Sequence, residues 1–212
     1  MPKNLLILGA SGQVGQQCLQ QALDHAEVAQ VVAPSRRPLP EHPKLTNPLV
    51  DYEQLPADAQ WWQADGLICA LGTTLKLAGS QAAFRRVDHD YVLAAARLAR
   101  QAGTPGFALN SSLGASIHAS SFYLRVKGEV ERDLEELGFS WLTIVRPSLL
   151  DGGPRPDSRP GERIALAASK ALGWLVPRSV RPVKTRVVAG ALLHACLHPG
   201  VGVTVVESKE LS

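Results

Sequence analysis

Cysteine is scarce in this 212-residue chain: Cys18, Cys69 and Cys196 lie far apart and form no Cys-x-x-Cys pair. That excludes a disulfide framework and a cysteine zinc site, and it fits a reducing compartment. Charge is also scarce. Charged residues make up 19% against 45% apolar, below the average of about a quarter, which excludes a disordered chain and a Glu/Lys-rich coiled coil. The net charge is only +3, with no run of Lys or Arg, so the basic stripe of a nucleic-acid binder is missing. Long apolar runs are missing too. Leu5-Leu6-Ile7-Leu8 is shorter than the roughly seven residues of a signal-peptide core. The run near Val187–Leu193 stops at His194, well short of the ~20 residues of a membrane span. The expectation is a soluble, cytoplasmic domain with no metal, no nucleic acid and no membrane partner.

What is present is an alternation of short apolar runs and longer helical patterns. A chain of this length buries roughly 70% of its unfolded surface, so one core suffices. Asn4–Leu8, Val28–Ala33, Gly66–Leu71, Gly106–Leu109 and Trp141–Val145 read as strands, and Gln13–Ala26, Ser80–Ala102 and Ser121–Leu137 as helices. Pro34–Pro48 holds five prolines and reads as a loop, and Asp51–Trp62 as at most one short helix. A helix at Arg163–Leu172, a strand around Arg181–Lys184, a helix at Arg186–Leu197 and a strand at Val203–Val206 finish the chain. Strand-then-helix repetition implies βαβ units, and continuous apolar strands imply helices on both faces. The expected fold is α/β, a Rossmann-type doubly wound parallel sheet. Residues 1–212 form a single domain, with 147–185 contributing a small substrate-side lobe. Leu150–Gly161, rich in Pro, Gly and Arg, reads as a loop. Its Arg155–Arg159 part is a lid, an anion site or a solvated turn.

The first strand meets the first helix at Gly9-Ala10-Ser11-Gly12-Gln13-Val14-Gly15. Glycines at this spacing gain meaning from that placement. Gly9 allows a tight turn, Gly12 lets backbone approach a pyrophosphate, and Gly15 lets the helix pack against the strand. The helix N-terminus then presents N–H groups to phosphate. After the second strand, an enzyme that prefers NAD carries an acidic residue for the ribose 2′-hydroxyl. This chain has Ser35-Arg36-Arg37, and a guanidinium pairs with a 2′-phosphate. NADP(H) is therefore the expected cofactor, with NAD(H) as the alternative.

Tyr123 and Lys127 stand one helical turn apart on one face. A phenol titrates near 10, and making it an acid–base group at neutral pH takes roughly 4 kcal/mol. A neighbouring ammonium supplies part of this by favouring the phenolate. The strand before this helix ends in Ser111-Ser112, at the edge where ligands bind in parallel sheets. Ser112 is the first choice to bond a substrate carbonyl, Ser111 the second. Gly128 inside the helix calls for a close approach by cofactor or a neighbouring helix. Val126, Val130, Leu134 and Leu137 read as its buried stripe. His118 is a lesser candidate, with His89 and His194. Cys69 reads as inert, which weighs against a thiolate-dependent semialdehyde dehydrogenase. Trp61 and Trp62 read as packing.

With these residues in place the chain resembles the short-chain dehydrogenase/reductase superfamily, in particular a small atypical branch of it. The likeness runs from Leu5 to about Glu162. It includes the glycine turn, Ser35–Arg37, Leu71-Gly72-Thr73-Thr74, Arg86–Leu93, Ser111-Ser112, Tyr123–Glu131, Arg146-Pro147 and Ser158–Glu162. The resemblance implies a Rossmann fold binding NADP(H). It places Leu71, Gly72 and Thr73 along the cofactor near its ribose and Asp51 near the adenine. Arg146, Pro147 and Ser148 would lie beside the nicotinamide, with Ser112, Tyr123 and Lys127 as the catalytic set. Leu113 replaces a lysine of that branch, and the C-terminal part is far shorter than the substrate lobe of sugar epimerases. The expected function is an NADP-dependent oxidoreductase moving hydride to or from a small carbonyl or alcohol. The alternatives are an NADP(H)-binding regulatory module with a protein partner, which the branch also implies, and an epimerase- or dehydratase-like isomerase with retained cofactor. Substrate identity and oligomeric state stay open.

Overall fold

Side chains along a strand alternate between the two faces of a sheet, so a strand buried on both faces must be apolar throughout. The computed structural model, which describes residues 1–151 and 181–211, has this arrangement. Its main sheet is parallel at every pairing, with strand order β3-β2-β1-β4-β5-β6-β9. The strands are β1 (Lys3–Leu8), β2 (Val28–Val32), β3 (Leu45–Thr46), β4 (Gly66–Cys69), β5 (Gly106–Asn110), β6 (Trp141–Arg146) and β9 (Gly202–Glu207). Leu5 and Ile7 enter one core with Ile68, Ala108 and Val145, beneath α1 (Gln13–Asp24). Leu6 and Leu8 enter the other with Leu67, Phe107, Leu109 and Ile144, beneath α4 (Tyr91–Gln101) and α5 (Phe122–Glu135). The doubly wound expectation stands.

The remaining elements refine the sequence reading. Before α4 come α2 (Leu75–Ala78) and α3 (Gln81–Arg85), and Ser80 caps α3 through its hydroxyl. The helix expected to run unbroken from Ser80 is interrupted at Arg86–Asp90 by a π turn. Asp51–Trp62 holds only a 3₁₀ turn, Gln60–Trp62. The proline-rich stretch forms the two-residue β3, whose short length suits an edge strand. Leu150–Asp151, expected as loop, forms β7 and pairs in parallel with β8 (Val183–Lys184), which leads into α6 (Thr185–Leu197). The expected helix at 163–172, the Arg155–Arg159 loop and most of the 147–185 lobe lie outside the described residues.

The sheet's strand order reverses beside β1, where the chain crosses from the β3 side to β4. Ligands of open α/β sheets bind at such a point, outside the carboxyl ends of the strands. The opposite end of β4 is closed by Thr104, fully buried, which donates to Trp62 O at 2.6 Å and accepts from Ala64 N–H at 2.9 Å. Thr104→Val keeps the shape and strands both backbone groups. It should lower unfolding free energy by about 2–3 kcal/mol, read from the shift of a urea unfolding curve.

Candidate functional site

Gly9 follows β1 with φ +77, a conformation that side chains resist, and a Cβ there would strike Ala70 and Leu71 backbone. A Cβ on Gly15 would lie 2.0 Å from Gly9 O, so helix and strand meet with no room for a side chain. The Gly12 N–H donates back to Gly9 O at 2.9 Å and closes the turn. No side-chain oxygen caps α1, and no acidic residue occupies its first turn. Ala10 and Val14 are buried beneath the turn, while Ser11 and Gly12 are exposed and Gln13 partly so. This is a cradle for a diphosphate: helix N–H groups and backbone without a competing carboxylate. At the same sheet edge the Asn110 Oδ1 is buried with no partner among the described residues.

After β2, Ser35 is buried and donates to Arg37 O at 2.5 Å. The Asn47 amide braces the turn, donating to Ser35 Oγ and Ala33 O. Arg36 and Arg37 project from it, exposed, and neither forms an ion pair among the described residues. Asp51 is exposed and its carboxylate accepts the Glu53 N–H. The next residue, Tyr52, was no sequence candidate. Its hydroxyl donates to Pro34 O at 3.1 Å and its buried ring stacks on Tyr91 at 5.6 Å, walling the same corner.

Helix α5 carries the tyrosine and the lysine that the sequence singled out. Tyr123 is half-buried against Phe84, with ring centroids 5.6 Å apart. One turn on, Lys127 is buried and its Nζ lies 2.8 Å from Asp88 Oδ1. Burial alone would pull the Lys127 ammonium down. The Asp88 carboxylate and then the Tyr123 phenol outweigh it, and the net shift is upward. The ammonium is thus charged at neutral pH. One turn further, Glu131 is buried and receives the Ser111 hydroxyl and a two-pronged Arg146, at 3.1 and 2.6 Å. Arg146 also reaches Glu207 at 3.2 Å.

The expected site residues therefore divide. Ser111 and Arg146 face Glu131, and the Ser111 hydroxyl donates a hydrogen bond to that carboxylate. Among the described residues the Ser112 hydroxyl makes only a 3.5 Å contact to Leu113 O. The Leu113 N–H donates to Pro147 O at 2.8 Å, joining the serine loop to the end of β6. Leu71, Gly72 and Thr73 follow β4 at the crevice, and the Thr73 N–H donates to Asp88 Oδ2 at 2.8 Å. The close approach expected at Gly128 is made by the serine loop: a Cβ there would lie 2.2 Å from Ser116 backbone, so that loop rests on α5. His118 is exposed, its backbone N–H bonded to Ser116 Oγ. His89 is held between Asp90 and Asp133, at 2.8 Å each, and His194 is exposed on α6. Burial pushes the Cys69 thiol up to about 12, in keeping with an inert core residue. Trp62 is fully buried against Trp61, as packing. Asp88 and Glu131 escaped the sequence reading. Their signal was the spacing of Glu131 four residues after Lys127, and an acidic residue inside a helix that faces α5.

A family described as NAD(P)H-binding matches residues 9–172. The chain belongs to the NAD(P)H-binding family. Rat (Rattus norvegicus) Protein HTATIP2 is 39% identical over 221 residues, covering 99% of this chain and 88% of its own. The mitochondrial protein fmp52 of Emericella nidulans is 34% identical over 179 residues, 80% of this chain and 76% of its own. Among solved structures, MoeE5 in complex with UDP-glucose and NAD superposes with a TM-score of 0.71 at 18% identity, covering 96% of this chain and 76% of that one. A UDP-N-acetylglucosamine 4-epimerase from Methanobrevibacter ruminantium gives 0.73 at 15% identity, covering 97% and 76%. This NAD(P)H-binding chain thus has the fold of the short-chain dehydrogenase/reductase and epimerase group, as its motifs implied. No helix among the described residues is long and apolar enough to cross a membrane.

The two serines should separate by measurement. Ser111→Ala removes a donor from the buried Glu131 and should cost about 1–3 kcal/mol in urea unfolding. Ser112→Ala, with no such partner, should leave the curve within about 0.5 kcal/mol of the parent.

Proposed function

We propose that this protein is an NADP-dependent oxidoreductase acting on a small carbonyl or alcohol. The observation that carries the reading is the buried Lys127 ammonium one turn from the half-exposed Tyr123 phenol, on the helix beside the Ser112 hydroxyl. The Gly9–Gly15 turn and the start of α1 would hold a diphosphate, and Arg36 and Arg37 a 2′-phosphate. Leu71, Gly72 and Thr73 would line the path between them and Pro147 the far end, with Asp51 and Tyr52 at the adenine corner. When bound, NADP(H) supplies or accepts the hydride. Ser112 donates a hydrogen bond to the substrate oxygen and fixes it beside Tyr123. Tyr123 gives its phenolic proton to that oxygen in reduction and takes it in oxidation. Lys127 favours the phenolate this leaves and is placed to bond ribose hydroxyls. The three cysteines, buried and free, suit a reducing compartment, which we take to be the cytoplasm.

NADPH should bind at least about tenfold more tightly than NADH by calorimetry, a difference of about 1.4 kcal/mol, and Arg36→Glu should abolish it. In a screen of small aldehydes and ketones, Tyr123→Phe should slow NADPH oxidation roughly a hundredfold or more without loss of coenzyme binding. If parent and variant are equally inactive while both bind NADPH, the regulatory-module reading replaces the enzyme.

A further inference from the structure

The π turn widens the helix by one residue and brings two consecutive buried side chains, Asp88 and His89, onto α5. Three polar contacts join the two segments: Arg85 with Glu129, Asp88 with Lys127, and His89 with Asp133. The middle one differs from the others. Both of its partners are almost wholly buried, and its carboxylate has a second task. One oxygen of Asp88 takes Lys127 Nζ at 2.8 Å, and the other takes the Thr73 N–H, also at 2.8 Å. Loop backbone closes around it: a Cβ on Gly72 would lie 3.1 Å from Asp88 Oδ1.

We propose that Asp88 is a positioning residue for the reaction: its single carboxylate locks the Lys127 ammonium and the loop after β4 into one geometry, so that the proton-transfer side chains and the cofactor-lining backbone are set together. This rests on the oxidoreductase reading of the same site. The groups facing Lys127 are few. Asp88 comes from the π turn, Tyr123 from α5 itself and Cys69 from β4. Burial keeps the Cys69 thiol neutral by holding it up to about 12, and Tyr123 brings a phenol rather than a carboxylate. Glu131, one turn along α5, is committed to Ser111 and Arg146. Asp88 is thus the counter-charge of a buried ammonium, and a buried ammonium without one gives up its proton rather than stay charged. Because Asp88 raises the Lys127 pKa, the pair stabilises the charged state throughout neutral pH, and that stabilisation is lost only as pH climbs through the raised value.

The test follows the lysine directly, in apo protein carrying ¹³Cε-lysine, with the Lys127 resonance assigned by its loss in Lys127→Arg. In the parent, Lys127 should stay protonated beyond the ordinary lysine value of about 10.4. In Asp88→Asn it should titrate below about pH 9, and NADPH affinity should be near the parent's at pH 6 and at least about tenfold weaker above the new inflection. Asp88→Asn with an unshifted lysine and parental pH dependence of NADPH binding overturns the proposal. Should the Asn variant not fold, Asp88→Glu keeps the charge on a longer stem. It should leave Lys127 protonated yet weaken NADPH at least about fivefold, and parental affinity would overturn the positioning role. A parent that binds no pyridine coenzyme overturns the oxidoreductase reading instead, separately from the titration, which reads the ion pair in the protein alone.

Discussion

A parallel sheet covered on both faces leaves its polar chemistry one outlet, the carboxyl edge of its strands. Leu5–Leu8 of β1, Leu67–Cys69 of β4, Phe107–Leu109 of β5 and Ile144-Val145 of β6 send buried apolar side chains to both faces, and the chain turns polar as these strands end: Gly9–Gly15 after β1, Leu71–Thr74 after β4, Ser111-Ser112 after β5 and Arg146-Pro147 after β6. Four loops are thus delivered to one line by the packing of the core alone. Each residue there is placed by the strand that precedes it, so the geometry of the edge is as rigid as the sheet.

Helix α5 is the second support, and it carries a cost. Tyr123, Lys127 and Glu131 follow one another at helical spacing, and two of the three are buried charges. Buried ions are tolerated only with partners of good geometry. The structure supplies them from three directions: Asp88 from the π turn, Ser111 from β5 and Arg146 from β6. The consequence is a helix that cannot slide along the sheet without stranding a charge, which holds the phenol in place above the crevice.

Much of this was legible in the sequence, because strong periodicity and glycine placement are local signals. Every strand of the main sheet except β3 was readable to within about two residues, the usual uncertainty of element boundaries, and the glycine turn and the Tyr–Lys pair were readable as chemistry. The missing parts depend on contacts between distant segments. The π turn needs the pull of α5 on Asp88 and His89, which no local pattern in Arg86–Asp90 announces. Nothing near Glu131 in sequence announces its partners, Arg146 and Ser111, which reach it from the sheet. Gly128 signalled a close approach, but only the fold says that the neighbour is the Ser116 backbone. Ser111 and Ser112 are equivalent as letters. The pleat turns the first toward α5 and leaves the second at the crevice.

The central claim is that a pyridine dinucleotide lies along this edge, from the glycine turn to Tyr123. Hydrogen exchange followed by mass spectrometry, with and without NADPH, tests it in one experiment. The account predicts slowed exchange in three separate segments, the Gly9–Gly15 turn with the first turn of α1, the loop after β4, and the serine loop leading into α5, with α6 and β9 unchanged. Exchange that is identical in those three segments at saturating NADPH, or protection confined to another face, would contradict it.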